Sequence, residues 1–115
     1  MTLENLKNLL GARILTGENL LNTEVYRACG SDMMSDVLAH VEDQSVLLTG
    51  LCNPQVIRTA EMMDIICVVM VRGKQPDSSM IEMAAERGIC LLVTHMPMFT
   101  SCGLLFKAGL RGGDS

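Results

Sequence analysis

Residues 65–88 read IICVVMVRGKQPDSSMIEMAAERG. An unbroken apolar run, Ile65 to Val71, stops at Arg72-Gly73. It gives way to a stretch in which apolar residues recur at helical spacing. A continuous apolar run of that length suits a strand buried on both faces. Met80, Ile81, Ala84 and Ala85 then form one stripe of a helix. Ser79-Met80-Ile81-Glu82 reads as a capping box at its start, and Gly88 as its stop. The stretch is one strand-helix step.

The same step occurs on both sides of it. SVLLTG (45–50) leads into NPQVIRTAEMMD (53–64). There Asn53 is a favoured N-cap and Pro54 suits the first helical position, where a missing N–H costs nothing. Val56, Ile57, Ala60 and Met63 share a face, while Arg58 and Glu61 face away. ICLLVTH (89–95) leads into MPMFTSCGLLFKAG (96–109). Three successive steps of this kind require right-handed crossovers and a parallel sheet with helices on its faces. The expected class is a three-layer α/β/α domain with a mainly parallel sheet.

The N-terminal half is less regular. Leu3, Leu6 and Leu10 fall on one helical face, with Thr2 as cap and Gly11 as stop. Arg13 to Thr16 is a strand candidate, followed by a turn at Gly17-Glu18-Asn19. Thr23 to Ala28 (TEVYRA) alternates and reads as a strand broken by Gly30-Ser31-Asp32. Met33 to His40 reads as a helical turn or loop. These pieces extend or flank the sheet. One domain over residues 1–110 is expected, with RGGDS (111–115) as a flexible tail.

Composition narrows the function classes. The chain has 115 residues, 49% of them apolar and 19% charged, which fits a folded domain rather than a disordered one. A net charge of −4 lacks the basic footprint of a nucleic-acid binder. No apolar run reaches the roughly 20 residues of a membrane span. The opening MTLENLKNLLGARIL carries Glu4 and is not a signal peptide, so a cytoplasmic protein is expected. Five cysteines, at 29, 52, 67, 90 and 102, form no CxxC and suggest no disulfide framework. Ten methionines with two Phe, one Tyr and no Trp imply a core filled largely by Met and aliphatic residues.

In open parallel sheets, ligands bind beyond the carboxyl ends of the strands. Those ends carry Thr49-Gly50-Leu51-Cys52-Asn53, Arg72-Gly73-Lys74 and Thr94-His95, with Asp32, Ser35 and Asp36 approaching from the N-terminal half. Hydroxyls, two cations, an imidazole and helix starts on one face suit a phosphate or nucleotide group. Each element also has a plainer reading: a strand exit, a solvated turn, a surface histidine, caps and turn formers. No phosphate-binding glycine loop, nucleophile elbow or zinc-ligand spacing occurs. A Cys52–His95 pair facing across adjacent strand ends is a remote nucleophile arrangement.

The stretches 30–65, VVMVRGKQP (68–76) and ICLLVTHMPMFTSCGLL (89–105) resemble the DRTGG domain, and more narrowly its short stand-alone members. SDMMSDVL (31–38), the Thr49-Gly50 strand exit and the Arg72-Gly73-Lys74 turn carry the likeness. The resemblance spans about Leu3 to Leu110. It implies a fold like the N-terminal domain of HPr kinase/phosphorylase, and a regulatory, homodimer-forming module without catalytic activity. DRTGG domains also sit between CBS domains in some pyrophosphatases and within long phosphotransacetylases. Stand-alone members are often encoded near iron-only hydrogenase genes. The chain lacks the phosphate-binding loop of the kinase domain, so no kinase activity is expected. Where related domains often carry Asp-Arg after the Thr-Gly exit, this chain has Leu51-Cys52, and the role of that arginine does not carry over.

The expected function is a non-enzymatic regulatory or dimerisation module. It would bind a small anionic ligand, a nucleotide or phosphorylated metabolite, at Asp32, Ser35, Asp36, Thr49, Gly50, Asn53, Arg72, Gly73, Lys74, Thr94 and His95. No catalytic residue, cofactor or metal ligand is assigned. A second reading is an interaction module for a protein partner in a redox, hydrogenase-type system, docking through a Met-rich surface. A third, remote one is a thiol or metal site using Cys29, Cys52 or Cys102 with His95.

Overall fold

The computed structural model describes residues 1–40 and 46–112. The elements in chain order are α1 (Leu3–Leu9), β1 (Arg13–Thr16), a 3-10 turn (Glu18–Leu20), β2 (Ala28–Gly30), α2 (Met34–His40), β3 (Val46–Thr49), α3 (Pro54–Met62), β4 (Cys67–Met70), α4 (Ser78–Glu86), β5 (Cys90–Val93) and α5 (Met98–Lys107). The strands form one sheet in the order β1-β5-β4-β3-β2. All neighbours are parallel except β1, which runs antiparallel to β5. The expected three-layer α/β class is therefore the observed one.

Register explains the layers. Val46, Cys67 and Cys90 lie side by side across β3, β4 and β5, as do Leu47, Val68 and Leu91, then Leu48, Val69 and Leu92. Alternate rows point to opposite faces. Leu47, Val68, Met70, Leu91 and Val93 pack beneath α2, α3 and α4, against Val37, Val56, Ile57, Ala60, Met80 and Ala84. Val46, Leu48, Cys67, Val69, Cys90 and Leu92 pack on the other face, against Leu3, Leu6 and Leu10 of the N-terminal helix region and Leu105 of α5. Each fully buried aliphatic side chain contributes roughly 1.5–3 kcal/mol of transfer free energy, so these two rows of strands dominate the stability.

Helix ends follow the side chains present. Thr2 caps α1 by accepting from Asn5 N–H, and Asn53 caps α3 by accepting from Gln55 N–H, with Pro54 opening the helix. The cap of α4 is Asp77, whose side chain accepts from Met80 N–H. The expected capping box at Ser79–Glu82 does not form, because Ser79 donates its hydroxyl to Asp77 instead. Asp77 offers a charged acceptor two residues earlier, a stronger cap than a serine hydroxyl.

Three other expectations change. TEVYRA is extended, but its first part pairs with the N-terminus, and only its end, Arg27-Ala28, bonds to the sheet. Leu3 N–H bonds Thr23, and Val25 N–H bonds Met1. The alternation there buries Val25 against α1. The sheet strand begins only at Ala28 and runs through Gly30, the residue expected to break it. Met33–His40, read as a helical turn or a loop, contains a seven-residue helix, α2, with Met34 and Val37 buried. The turn at Gly17 continues into a 3-10 helix.

At the tail, Arg111 accepts from Ala28 N–H and donates to Tyr26, forming a bridge alongside Arg27. Residues 113–115 lie outside the described residues. No helix of the described residues is long and apolar enough to cross a membrane.

Candidate functional site

The carboxyl edge of the sheet is built from strand exits held in register. Val71 N–H bonds Thr49 and Thr94 N–H bonds Met70, so the ladder continues one residue beyond β4 and β5. Asp32 follows β2 directly. Its Oδ1 accepts from Gly50 N–H at 2.6 Å and from the Thr49 hydroxyl at 3.3 Å. Its Oδ2 lies 3.3 Å from Arg72 Nη2. The Gly50 N–H first, and then the Arg72 guanidinium and Thr49 hydroxyl, hold the Asp32 carboxyl below its ordinary value against partial desolvation. Both side chains of the ion pair are 47% exposed, so the pair orients Arg72 more than it stabilises the fold. Gly50 leaves room for the Arg72 guanidinium, which a Cβ at this position would displace from Asp32.

Arg72 sits at φ 59 and Gly73 at φ 68. With Lys74 N–H bonded to Val71, the turn has the positive-φ pair of a type I′ turn. Placing an arginine there costs on the order of 1 kcal/mol of backbone strain. Two backbone bonds hold the turn in place: Arg72 N–H to Met96 at 2.9 Å and Gly73 N–H to Thr94 at 2.8 Å. Gly73 also leaves room for His95, since a Cβ would come within 2.9 Å of its Nδ1.

These bonds bear on where a ligand fits. Helices α2, α3 and α4 lie on one face, while the chain leaving β5 crosses to α5 on the other. The switch point of this sheet, where a crevice opens in most doubly wound folds, therefore falls between the β4 and β5 exits. The Arg72–Met96 and Gly73–Thr94 bonds close it.

The expected site residues divide accordingly. Asp32, Thr49, Gly50 and Arg72 form one bonded cluster. Thr94 is buried, donating to Leu10 and accepting from Met96 N–H, so it ties α1 to the sheet. Asn53 is occupied as the α3 cap, and Thr49 Oγ1 also accepts from Leu51 N–H. Ser35 and Asp36 are exposed in the first turn of α2 and have no side-chain bond to the cluster among the described residues. Lys74 and His95 are exposed.

Arg13 was missed. Because β1 is antiparallel, its first residue pairs with the last of β5, Val93. That brings the Arg13 guanidinium to the same edge, where it donates to Gln75 at 2.9 Å. No local signal in the sequence shows the direction of an edge strand.

The Cys52–His95 pairing across adjacent strand ends does not hold, since β4 lies between β3 and β5. Desolvation and the Asp77 charge push the Cys52 thiol up, with Lys74 opposing. That is the opposite of an activated nucleophile. Two clefts lie elsewhere. One of about 410 Å³ lies by Glu61, Asp64, Arg87 and Ile89 at the opposite edge. One of about 230 Å³ lies between β2 and α5.

The fold and this edge define a class: a three-layer α/β module of DRTGG-like architecture. Among solved structures, one similar chain is the crystal structure of the CBS and DRTGG domains of the regulatory region of Clostridium perfringens pyrophosphatase, complexed with the activator diadenosine tetraphosphate. The match has a TM-score of 0.76 at 14% sequence identity and covers 98% of this chain and 51% of that one. This chain thus spans about half the length of that regulatory region. No family model matches the chain, and no curated protein does.

Proposed function

We propose that the protein is a non-enzymatic regulatory module that senses a small anionic ligand at the carboxyl edge of its sheet. The observation that carries this is convergence. Arg13 from β1, Arg72 and Lys74 from the β4 exit and His95 from the β5 exit reach one edge, and Asp32 holds Arg72 in place. The backbone N–H groups of Gly50, Leu51, Arg72 and Gly73 are already bonded. The ligand therefore meets cationic side chains rather than a backbone nest, which suits an extended polyphosphate better than a single buried phosphate. The upward shift of the Cys52 thiol supports a non-catalytic reading.

The similar regulatory region was crystallised with a dinucleotide polyphosphate, which makes diadenosine tetraphosphate, ATP and pyrophosphate the first probes. Calorimetric titration should give saturable binding that weakens with salt, and at least tenfold weaker binding in the double variant R13A/K74A. Absence of heat with all three probes, or unchanged binding by the double variant, would sink the reading.

A second reading, a module that docks another protein chain, is favoured by a separate observation. Of the ten methionines, Met33 and Met62 are exposed, and the rest are buried or packed partly against the core. The more conspicuous exposed apolar residues are aromatic: Tyr26, Phe99 and Phe106.

A further inference from the structure

The chain has 13 acidic residues and a net charge of −4, yet no Asp or Glu lies between Glu86 and Asp114. That stretch contains β5 and α5. Of its cations, Arg87 is paired with Glu61 at 3.0 Å. Lys107 and Arg111, at the end of α5, are exposed. The outward side of α5 is therefore a cationic exception on an acidic molecule.

The same side carries the exposed aromatic residues. Phe99 is 90% exposed, Tyr26 65% and Phe106 60%. Phe99 and Phe106 are seven residues apart on α5, so they stand on one line of the helix, turned away from Leu105, which packs against the sheet. The other outward positions between them are Thr100 and Gly103, and a Cβ at Gly103 would meet no atom within 4 Å. Both residues are short and uncharged, so the two rings are the highest points of the helix. Tyr26 belongs to this region, because the Arg111 backbone N–H bonds its carbonyl at 3.2 Å. The Arg111 guanidinium lies 4.4 Å from the centroid of the Phe106 ring, which sets a cation beside an aromatic. The carboxylate nearest to Tyr26 in sequence, Glu24, is paired with the N-terminal ammonium at 2.9 Å.

We infer that the outer face of α5 docks on the surface of an anionic lipid bilayer. The face divides by chemistry. The phenylalanine rings enter the boundary between headgroups and acyl chains. The Tyr26 ring suits the headgroup level, where one end of the side chain is apolar and the other wet. Lys107 and Arg111 meet the lipid phosphates. Interfacial binding of this kind needs protruding apolar side chains beside cations, and no matching shape on the other side. The core of a protein interface needs packing as dense as a protein interior. A ring as free as Phe99 has no wall of its own chain beside it to form such a core, so the bilayer is the better fit.

The acidic balance does not forbid this. The molecule measures 33 × 29 × 24 Å, while charges are screened over about 8 Å at physiological salt. Glu61, Glu82 and Glu86 stand on α3 and α4, across the sheet from α5, beyond that range from a bilayer touching Phe99. Lys107 and Arg111 are within it. Two rings and two cations make a reversible contact rather than a permanent anchor. Docking here does not rest on the anion-sensing reading, whose probes bind at the strand ends.

Flotation of the whole chain with lipid vesicles tests this. Vesicles of phosphatidylglycerol and phosphatidylcholine in equal parts should carry the protein upward, less so as salt rises, and pure phosphatidylcholine should carry at least tenfold less. F99S/F106S should lower the partition coefficient at least tenfold, with the far-ultraviolet spectrum and melting temperature unchanged. K107E should lower it at least fivefold on the anionic vesicles and leave the weak binding to phosphatidylcholine as it was. The chain has no tryptophan, so F99W supplies a single reporter. Its emission should shift to the blue on anionic vesicles and be quenched by brominated acyl chains, while Q55W, on the exposed side of α3, should do neither. Absence of flotation with the anionic vesicles overturns the inference and returns the face to the protein-docking reading. Flotation indifferent to F99S/F106S, or a shift in Q55W and not in F99W, overturns it as well.

Discussion

The two helical layers are made in different ways. Helices α2, α3 and α4 are consecutive, each the crossover between neighbouring parallel strands, and their inward stripes meet Leu47, Val68, Met70, Leu91 and Val93. Helices α1 and α5 come from opposite ends of the chain to cover Val46, Leu48, Val69 and Leu92. Inside, the layers are equivalent, for both rows are fully buried. Outside they differ. Solvent-facing positions of α3 and α4 carry Gln55, Arg58, Glu61, Glu82 and Glu86, with Met62 the large apolar exception. The outer side of α5 carries Phe99, Gly103 and Phe106. A complete core therefore does not require an all-polar surface, and the layer of α1 and α5 is the one that leaves aromatic side chains exposed.

Equivalence inside is open to direct challenge. Leu91 faces α3 and α4 while Leu92 faces α1 and α5, and both are fully buried. L91A and L92A should each lower unfolding free energy by roughly 3 kcal/mol in urea titrations. A cost for L92A below about 1 kcal/mol would mean the second layer is loosely packed, and the comparison would break.

The next effect concerns how the second layer is closed. Gly17 has φ 90, and a Cβ there would come 2.6 Å from Cys90 Cα. G17A should cost about 1–2 kcal/mol from the left-handed backbone alone, plus displacement of β5. An unchanged melting temperature would show that this contact has slack. Gly50, at the carboxyl edge, answers to a side chain instead, the Arg72 guanidinium.

The smallest effect is electrostatic. Asp32 is held ionised by Gly50 N–H, Arg72 and Thr49, so its folded pKa lies below the unfolded one. Its contribution is complete above the unfolded value, near 3.9, and is lost as pH falls through the folded value. Stability of the wild type and of D32N, measured from pH 7 to pH 2, should converge at the acid end. Parallel curves would show that the carboxylate adds nothing to the fold.

The three βα steps were legible because unbroken runs such as Ile65–Val71 and caps such as Asn53-Pro54 are local signals. So were the left-handed stops at Gly11, Gly88 and Gly109, which all have positive φ. Competition between neighbours was not legible. Asp77 displaced the serine cap, and the first part of TEVYRA pairs with the N-terminus rather than the sheet. At the edge, Arg72, Lys74 and His95 could be placed from their strands. The bond from Gly50 N–H to Asp32 and the arrival of Arg13 required knowing which strands are neighbours and which way the edge strand runs. Those facts belong to pairings between residues far apart in the chain.

One of those pairings also has a temporal side. The sheet partner of β1 is β5, so residues 13–16 wait for residues 91–93. At a synthesis rate of about 5–20 residues per second, the N-terminal strand emerges and stands unpaired for roughly 4–16 s, while β2, β3 and β4 can already zip together. During that interval α1 lacks β5 and α5 and has the extended segment through Val25 and the Val46, Leu48 and Val69 face to rest on. The segment from β5 through α5 thus completes both the sheet edge and the second layer in one step.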